Sequence, residues 1–455
     1  MKKLFVIAFA FFFFQIGVFA QQKYSRVKVY TGDSGMTILA AAGVAVDHGE
    51  YRKGKYFIGE FSAKEIDIIR TKGFKYDILI DDMESYYLKR NEQDQKQLNK
   101  TQIKKNENPA SALTYPTPSN FTLGSMGGFY TYSEALTHLD NMVSKWPNLV
   151  KMRIPIDTFH SLEGRPIYWM RISNNPNVDQ MNKPQILFTA LHHAREPASL
   201  SQLIMFMYYL LENYTINSEI KYFVDNTEIY FVPIVNPDGY IYNQTTNPNG
   251  GGMWRKNKRV LNGVLAGVDL NRNYGNNWGY DNIGSSNNSS METFRGMAPF
   301  SEPETQAMRA FCNAHQFKIA VNYHTYGNDL IYPYGYIANH FTPDSNYFSN
   351  LAAYMTEENN YVFGTVNQTL GYLTNGDSDD WMYGEQNSKP KIFSLTPETG
   401  TSSDGFWPQI SRIVDVSKAN IGQNIRALRA LVDMALLNDV ENITLTPKNK
   451  YIHYT

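Results

Sequence analysis

The chain of 455 residues carries a net charge of −1 and a 42% apolar fraction that includes 32 Tyr and 26 Phe. That is enough apolar material to bury a large core in about two or three domains, which excludes global disorder. Near-neutral charge leaves no basic face for nucleic acid. The single cysteine, Cys312, excludes an intrachain disulfide framework and any multi-cysteine metal cluster.

Lys2 and Lys3 precede an apolar run that ends in Val18-Phe19-Ala20. This pattern predicts a signal peptide over residues 1–20 with cleavage after Ala20, hence a secreted or periplasmic protein. The competing reading is a membrane anchor, but no later segment reaches the ~20 apolar residues needed to span a bilayer. Export without disulfides is ordinary for a bacterium. Residues 21–88 predict a small α+β domain. KYSRVKVYT, KYFIGEFS and KYDILIDD read as strands, and MTILAAAGVAV and AKEIDIIRTKG as helices. Residues 89–114 form a polar segment almost without apolar side chains, a solvated helix or a disordered linker. Lys89, Arg90, Lys100, Lys104 and Lys105 make it easy to nick. Two readings are open for it, a plain linker or the cut site of a propeptide.

Residues 115–437 alternate strands and helices. Strands are expected at 185–191, 228–235, 318–324 and 391–395. Helices are expected at 199–214 and 304–315, with one long closing helix at 414–437. This predicts an α/β unit with a mixed, mostly parallel sheet flanked by helices. Residues 438–455 are too few for a domain and read as a C-terminal extension.

Three strands run directly into polar residues. QILFTAL leads into His192-His193-Ala194-Arg195-Glu196, KIAVNY into His324, and KIFSL into Thr396-Pro397-Glu398. Sites in α/β sheets gather beyond the carboxyl ends of strands, so two histidines and two glutamates are expected at one sheet edge. His193 and Glu196, spaced H-x-x-E, together with His324 make a catalytic zinc set of two nitrogens and a carboxylate, with the fourth position left to water. A structural salt-bridge cluster is the alternative. His192 reads as a packing residue beside the site. The remaining histidines (48, 138, 160, 315, 340 and 453) read as surface or packing residues. Gly32-Asp33-Ser34-Gly35 imitates a serine-protease block but reads as a turn, and SSNNSS (285–290) as a polar loop.

Several separated blocks resemble one family. HHAREP, VNPDGY followed by MWRKNKR, GVDLNRNY, PFSEPET, NYHTYGNDLIYPYG, GYLTNGDSDDWMYGE and FSLTPETGTSSDGFWP are similar, in order, to motifs of the zinc carboxypeptidases of the carboxypeptidase A/B (funnelin) type. The resemblance spans residues 115 to 437 and suits a bacterial secreted member. It implies one Zn²⁺ per chain on His193, Glu196 and His324, and hydrolysis of the C-terminal peptide bond. It also implies Glu398 as general base, Arg255 as oxyanion stabiliser, and Asn271 and Arg272 as a clamp for the terminal carboxylate. Tyr372 is then the tyrosine that closes over that carboxylate, Arg195 a residue lining the approach, and Asp379 the floor of the side-chain pocket. An acid there points to basic or mixed C-terminal specificity. One departure stands out: the family often has its glutamate directly after the Phe of the last strand, where this chain has Ser394. The leading domain resembles the family's inhibitory propeptide. The expected partners are peptide or protein substrates, with no nucleic acid and no membrane anchor, and the protein is expected to be a monomer. Two alternatives accompany this reading: a relative acting on peptidoglycan peptides or side-chain amino acids, and a non-catalytic binding protein of the same fold.

Overall fold

The computed structural model describes residues 22–101, 115–180 and 182–437. The expected signal peptide, the second half of the expected linker and the C-terminal extension lie outside these residues. Among the described residues no helix is long and apolar enough to cross a membrane.

The leading unit contains β1 (Tyr24–Val29), α1 (Gly35–Ala41), β2 (Glu50–Arg52), β3 (Tyr56–Ser62), α2 (Ala63–Thr71) and β4 (Tyr76–Ile80). Its strands form an antiparallel sheet in the order β2-β3-β1-β4. Alternation sets its core: Val27, Val29, Phe57 and Phe61 point inward and meet Leu39 and Ile69. Ser62 and Glu65 close a reciprocal capping box that starts α2 where the strand ends. The helix expected over Met36–Val46 stops at Ala41. Gly43, at φ +87°, turns the chain out of the helix, and residues 44–49 become a loop.

Helix α3 (Met83–Thr101) runs through the expected boundary at 88/89, so the first half of the polar segment is helical. Its apolar end buries Met83 and Tyr87 in the main core. Arg90 donates to the carbonyls of Ser403 (3.0 Å) and Asp404 (3.1 Å), and Asp94 accepts from the backbone and hydroxyl of Ser411 at 2.8 Å each. These contacts tie the leading unit to the main one.

The main unit continues with α4 (Tyr132–Lys145), β5 (Ile154–His160), β6 (Pro166–Ile172), β7 (Gln185–Thr189), α5 (Pro197–Asn213), α6 (Ser218–Asn226), β8 (Glu228–Val232) and α7 (Pro237–Thr246). After a two-residue hairpin, β9 (Val260–Leu261) and β10 (Val264–Leu265), come α8 (Pro303–Ala314), β11 (Phe317–Asn322), β12 (Asp329–Ile331), α9 (Ser345–Met355), β13 (Val362–Gly364) and α10 (Val366–Thr369). The chain ends with α11 (Ser378–Gly384), β14 (Phe393–Glu398), α12 (Ile410–Lys418) and α13 (Ile421–Leu437). Eight strands make one mixed sheet in the order β13-β12-β14-β11-β7-β8-β6-β5. Its centre, β14-β11-β7-β8, is parallel. Those strands are buried on both faces, as the near-continuous apolar runs of β7 and β8 require. Ile186 and Phe188 pack against α5 and α13 on one face, whereas Leu187 and Tyr230 meet Phe311 and Trp381 on the other.

Two expectations need correction. The closing segment is two helices, not one. Asn420 breaks it by donating its amide to Thr399 Oγ1 (2.6 Å) and Val416 O (3.3 Å), which fastens the turn beside the end of β14. The last strand is also shifted, so that Glu398 is its final residue rather than a residue beyond it.

Candidate metal centre and the loop that covers it

The parallel strands β7, β11 and β14 are neighbours, and their carboxyl ends deliver the polar residues to one place. Past β7 the chain turns at Leu191 (φ +55°), passes His192 and His193, and enters α5 with Glu196 at its N-cap position. Past β11 it reaches His324, whose backbone N–H donates to Pro397 O at 2.9 Å and so registers it against β14.

His193 Nδ1 lies 2.7 Å from Glu196 Oε1, and His324 Nδ1 lies 3.0 Å from Glu196 Oε2 and 3.1 Å from His193 Nδ1. Three ligand-type atoms thus converge from buried side chains. On its far side, His193 Nε2 faces Asp269 Oδ1 at 3.1 Å, which holds the ring proton there and leaves Nδ1 to the centre. Burial would raise Glu196, yet His193, His324 and a third histidine, His48, hold it well below the usual carboxylate range. Two facing imidazole nitrogens with a carboxylate between them fit a zinc ion, whose tetrahedral ligand atoms stand about 3.3 Å apart.

Around this centre lie the other expected residues. Arg255 is fully buried and donates to Asp269 Oδ2 from Nε (3.0 Å) and Nη2 (2.8 Å). Asn271 accepts from the Ser378 backbone at 3.0 Å and turns its amide toward His324 Nε2 at 3.4 Å. Arg272 is held by Gly284 O (3.1 Å) and Asn271 O (2.7 Å). Glu398, Tyr372 and Asp379 line the same cavity as His193 and Arg272. Asp379 Oδ1 accepts from Asn322 Nδ2 (2.8 Å) and Ser394 Oγ (2.6 Å). Ser394, the residue that departs from the family pattern, therefore holds Asp379. Burial, with Asp377 nearby, pushes the Asp379 carboxyl up to about 6. Arg195 does not line this cavity. It is buried with its guanidinium 4.2 Å from the Phe406 ring centre and 6.0 Å from that of Tyr24 in the leading unit.

Two residues of the leading unit, neither of them expected here, also belong to this site. The loop after α1 inserts Asp47 and His48 into the cavity. Asp47 Oδ2 is ion-paired with Arg255 and lies 3.0 Å from Arg272 Nη2. Burial would raise the Asp47 carboxyl, but Arg255, His48 and Arg272 hold it far below its ordinary value. His48, expected as a surface or packing residue, is instead 3% exposed, with Nε2 3.2 Å from Glu196 Oε1 and Nδ1 3.4 Å from Glu398 Oε2. Burial lowers this imidazole, but the carboxylates of Glu398, Asp47 and Glu196 outweigh it and lift the group to about 10. The signal was a polar pair, Asp47-His48, closing an otherwise apolar run; nothing local said where it points. With the loop seated, a cavity of about 40 Å³ remains beside Asp47 and His48, enough for water. The loop carrying Tyr372 packs into the leading unit's core through Val366 and Leu370. At Gly371 (φ +72°) a side chain would meet the Tyr51 ring at 2.4 Å, so only glycine admits this contact.

Residues 135–422 match the family described as zinc carboxypeptidase. A zinc carboxypeptidase of Saccharothrix mutabilis subsp. capreolus is 32% identical over 314 residues, 67% of this chain and 68% of that protein. Human mast cell carboxypeptidase A is 29% identical over 60% of this chain and 67% of its own length. Among solved structures, carboxypeptidase A from Helicoverpa armigera superposes with a TM-score of 0.70 at 22% identity, covering 92% of this chain and 99% of the other. Thrombin-activatable fibrinolysis inhibitor superposes with a TM-score of 0.67 at 21% identity, covering 90% and 99%. The fold likeness thus extends over the leading unit as well as the main one.

Proposed function

The chain belongs to the zinc carboxypeptidase family, and from that premise we propose that it is exported, held latent by residues 21 to about 110, and, once cut, removes single C-terminal residues from peptides. One observation carries this reading. The two guanidiniums beside the metal centre already hold a carboxylate, that of Asp47. A pair of planar forks next to a metal site is what a terminal carboxylate needs, and Asp47 stands in for it.

When bound, zinc supplies Lewis acidity that acidifies a water and polarises a carbonyl. The rest falls to side chains. Glu398 accepts the attacking water's proton and returns it to the departing amine nitrogen. Arg255, oriented by Asp269, donates to the developing oxyanion, an interaction worth on the order of 3 kcal/mol in a dry site. Arg272 and Asn271 fix the substrate's α-carboxylate, and Tyr372 closes over it. Asp379 at the pocket floor favours a basic C-terminal side chain, because a buried carboxylate is costly until a cation meets it. All of this requires the Asp47–His48 loop to leave.

The test is hydrolysis of N-blocked dipeptides before and after limited trypsin treatment. Activity should rise on cleavage and vanish with a chelator. Equal activity before and after complete cleavage would refute latency. Chelator-resistant hydrolysis would refute the zinc mechanism.

A further inference from the structure

The Asp47–His48 loop does two separable things. Asp47 neutralises Arg255 and Arg272, which accounts for the carboxylate seat. It does not account for His48, which points past those arginines toward the metal ligands.

Four observations converge on that imidazole. It is buried, and neither ring nitrogen has a hydrogen bond of acceptable geometry. Its nitrogens face carboxylate oxygens, Glu196 Oε1 at 3.2 Å and Glu398 Oε2 at 3.4 Å, in ion-pair contact rather than in well-formed hydrogen bonds, and the neutral ring has a nitrogen lone pair to offer a metal. Next, Nε2 approaches Glu196 Oε1 at 3.2 Å, and that oxygen is itself 2.7 Å from His193 Nδ1. One ligand atom each from His48, His193 and Glu196 lie within 4.8 Å of one another. Third, His193, Glu196 and His324 supply three ligands, one short of a closed tetrahedral zinc site. Fourth, the loop is held where it is. Ala45 N donates to Glu65 Oε1 at 2.8 Å, and at Gly49 an added Cβ would meet Ile58 O at 2.2 Å. Phe406 and Tyr326 flank the ring at 5.2 and 6.3 Å between centroids and restrict its tilt.

We propose that His48 is the fourth ligand of the zinc in the uncleaved chain, occupying the coordination position that water takes in the cut enzyme. This rests on the zinc-carboxypeptidase reading above. The latent state is then closed twice: Asp47 fills the carboxylate seat and His48 removes the nucleophile's place. A protein ligand in place of water turns an open, catalytic coordination shell into a closed, structural one. Cutting the polar segment lets the leading unit dissociate and exchanges an imidazole nitrogen for a solvent oxygen, with no other change in the ligand set.

The experiment follows the metal, not only the activity. The full chain is loaded with cobalt(II) in place of zinc, and its visible d–d absorption is recorded before and after trypsin cleavage. Zinc-edge X-ray absorption on the zinc form counts the imidazoles. The expected result is three imidazoles in the uncleaved chain and two plus a solvent oxygen after cleavage, with a matching change in the cobalt spectrum. The uncleaved His48→Ala chain should already give the cut enzyme's spectrum and lose zinc to a chelator at least tenfold faster than uncleaved wild type. Two imidazoles in uncleaved wild type, with a cobalt spectrum that cleavage leaves unchanged, would overturn the proposal and leave His48 as an imidazolium paired with Glu196 and Glu398. The wild-type comparison decides by itself if His48→Ala does not fold. The two readings separate cleanly. A three-to-two change in a cut enzyme that hydrolyses no peptide keeps the ligand and rejects the carboxypeptidase. A cut enzyme that is active, with no change in ligands, does the reverse.

Discussion

Replacing Asp47 by Asn should unlatch the uncleaved protein. Asp47 is buried and sets its single charge against two guanidiniums, Arg255 in ion-pair contact and Arg272 at 3.0 Å. Two unit charges at about 3 Å attract by roughly 5.5 kcal/mol at an effective dielectric of 20, before the cost of drying them. Removing one partner of a buried pair typically costs about 3–5 kcal/mol. The lower end applies here, because Arg255 keeps Asp269 and only Arg272 is left with carbonyl oxygens alone. A loss of about 3 kcal/mol weakens docking of the leading unit by more than a hundredfold. The rate of the uncleaved chain on an N-blocked dipeptide, divided by that of the cleaved chain, measures the undocked fraction. That fraction should rise by about two orders of magnitude, or until it saturates. Cleavage converts wild type and variant into the same catalytic unit, so their cut forms must be equally active. If uncleaved Asp47→Asn is as slow as uncleaved wild type while the cut forms agree, the carboxylate does not hold the latch.

Three other outcomes follow from the same geometry. His324→Ala should lose zinc, measured by metal analysis, because it removes one of three converging ligand atoms; full occupancy with retained activity would reject the ligand set. Glu398→Gln should keep its zinc but lower kcat by about 10²–10⁴ in the cut enzyme, the range for a lost general base; a drop below tenfold would reject the role. Asp379→Asn should lower the ratio of kcat/KM for C-terminal Arg over Phe by about tenfold or more, a difference of ~1.4 kcal/mol. The same ratio should depend on pH. A carboxyl raised to about 6 is protonated below that pH and ionised above it, so preference for Arg should be full at neutral pH and fall as pH drops through about 6. An unchanged ratio in either experiment would put Asp379 outside specificity.

Much of this protein is fixed by local sequence. The apolar runs of β7, β8 and β11 could only be strands buried on both faces, and the polar residues that follow them could only emerge at the carboxyl edge. His193, Glu196 and His324 were expected at one sheet edge for that reason, since the polar residues directly follow the apolar runs in sequence, whereas Glu398 arrives there as the last residue of β14. Where a side chain answers to a distant one, the sequence alone is silent. Asn420 splits the closing helix because Thr399, far away in the chain, accepts its amide. Ser394 reads as a departure from a pattern until Asp379 is seen resting on it. His48 has nothing near it in sequence to mark it as more than a packing residue. Its meaning comes from packing the leading unit onto the main one, which brings a loop at residues 44–49 against metal ligands, His193, Glu196 and His324, that lie roughly 150 to 280 residues away along the chain. Charges and ligand atoms act through space over a few ångströms, and only the tertiary structure decides which of them share that space.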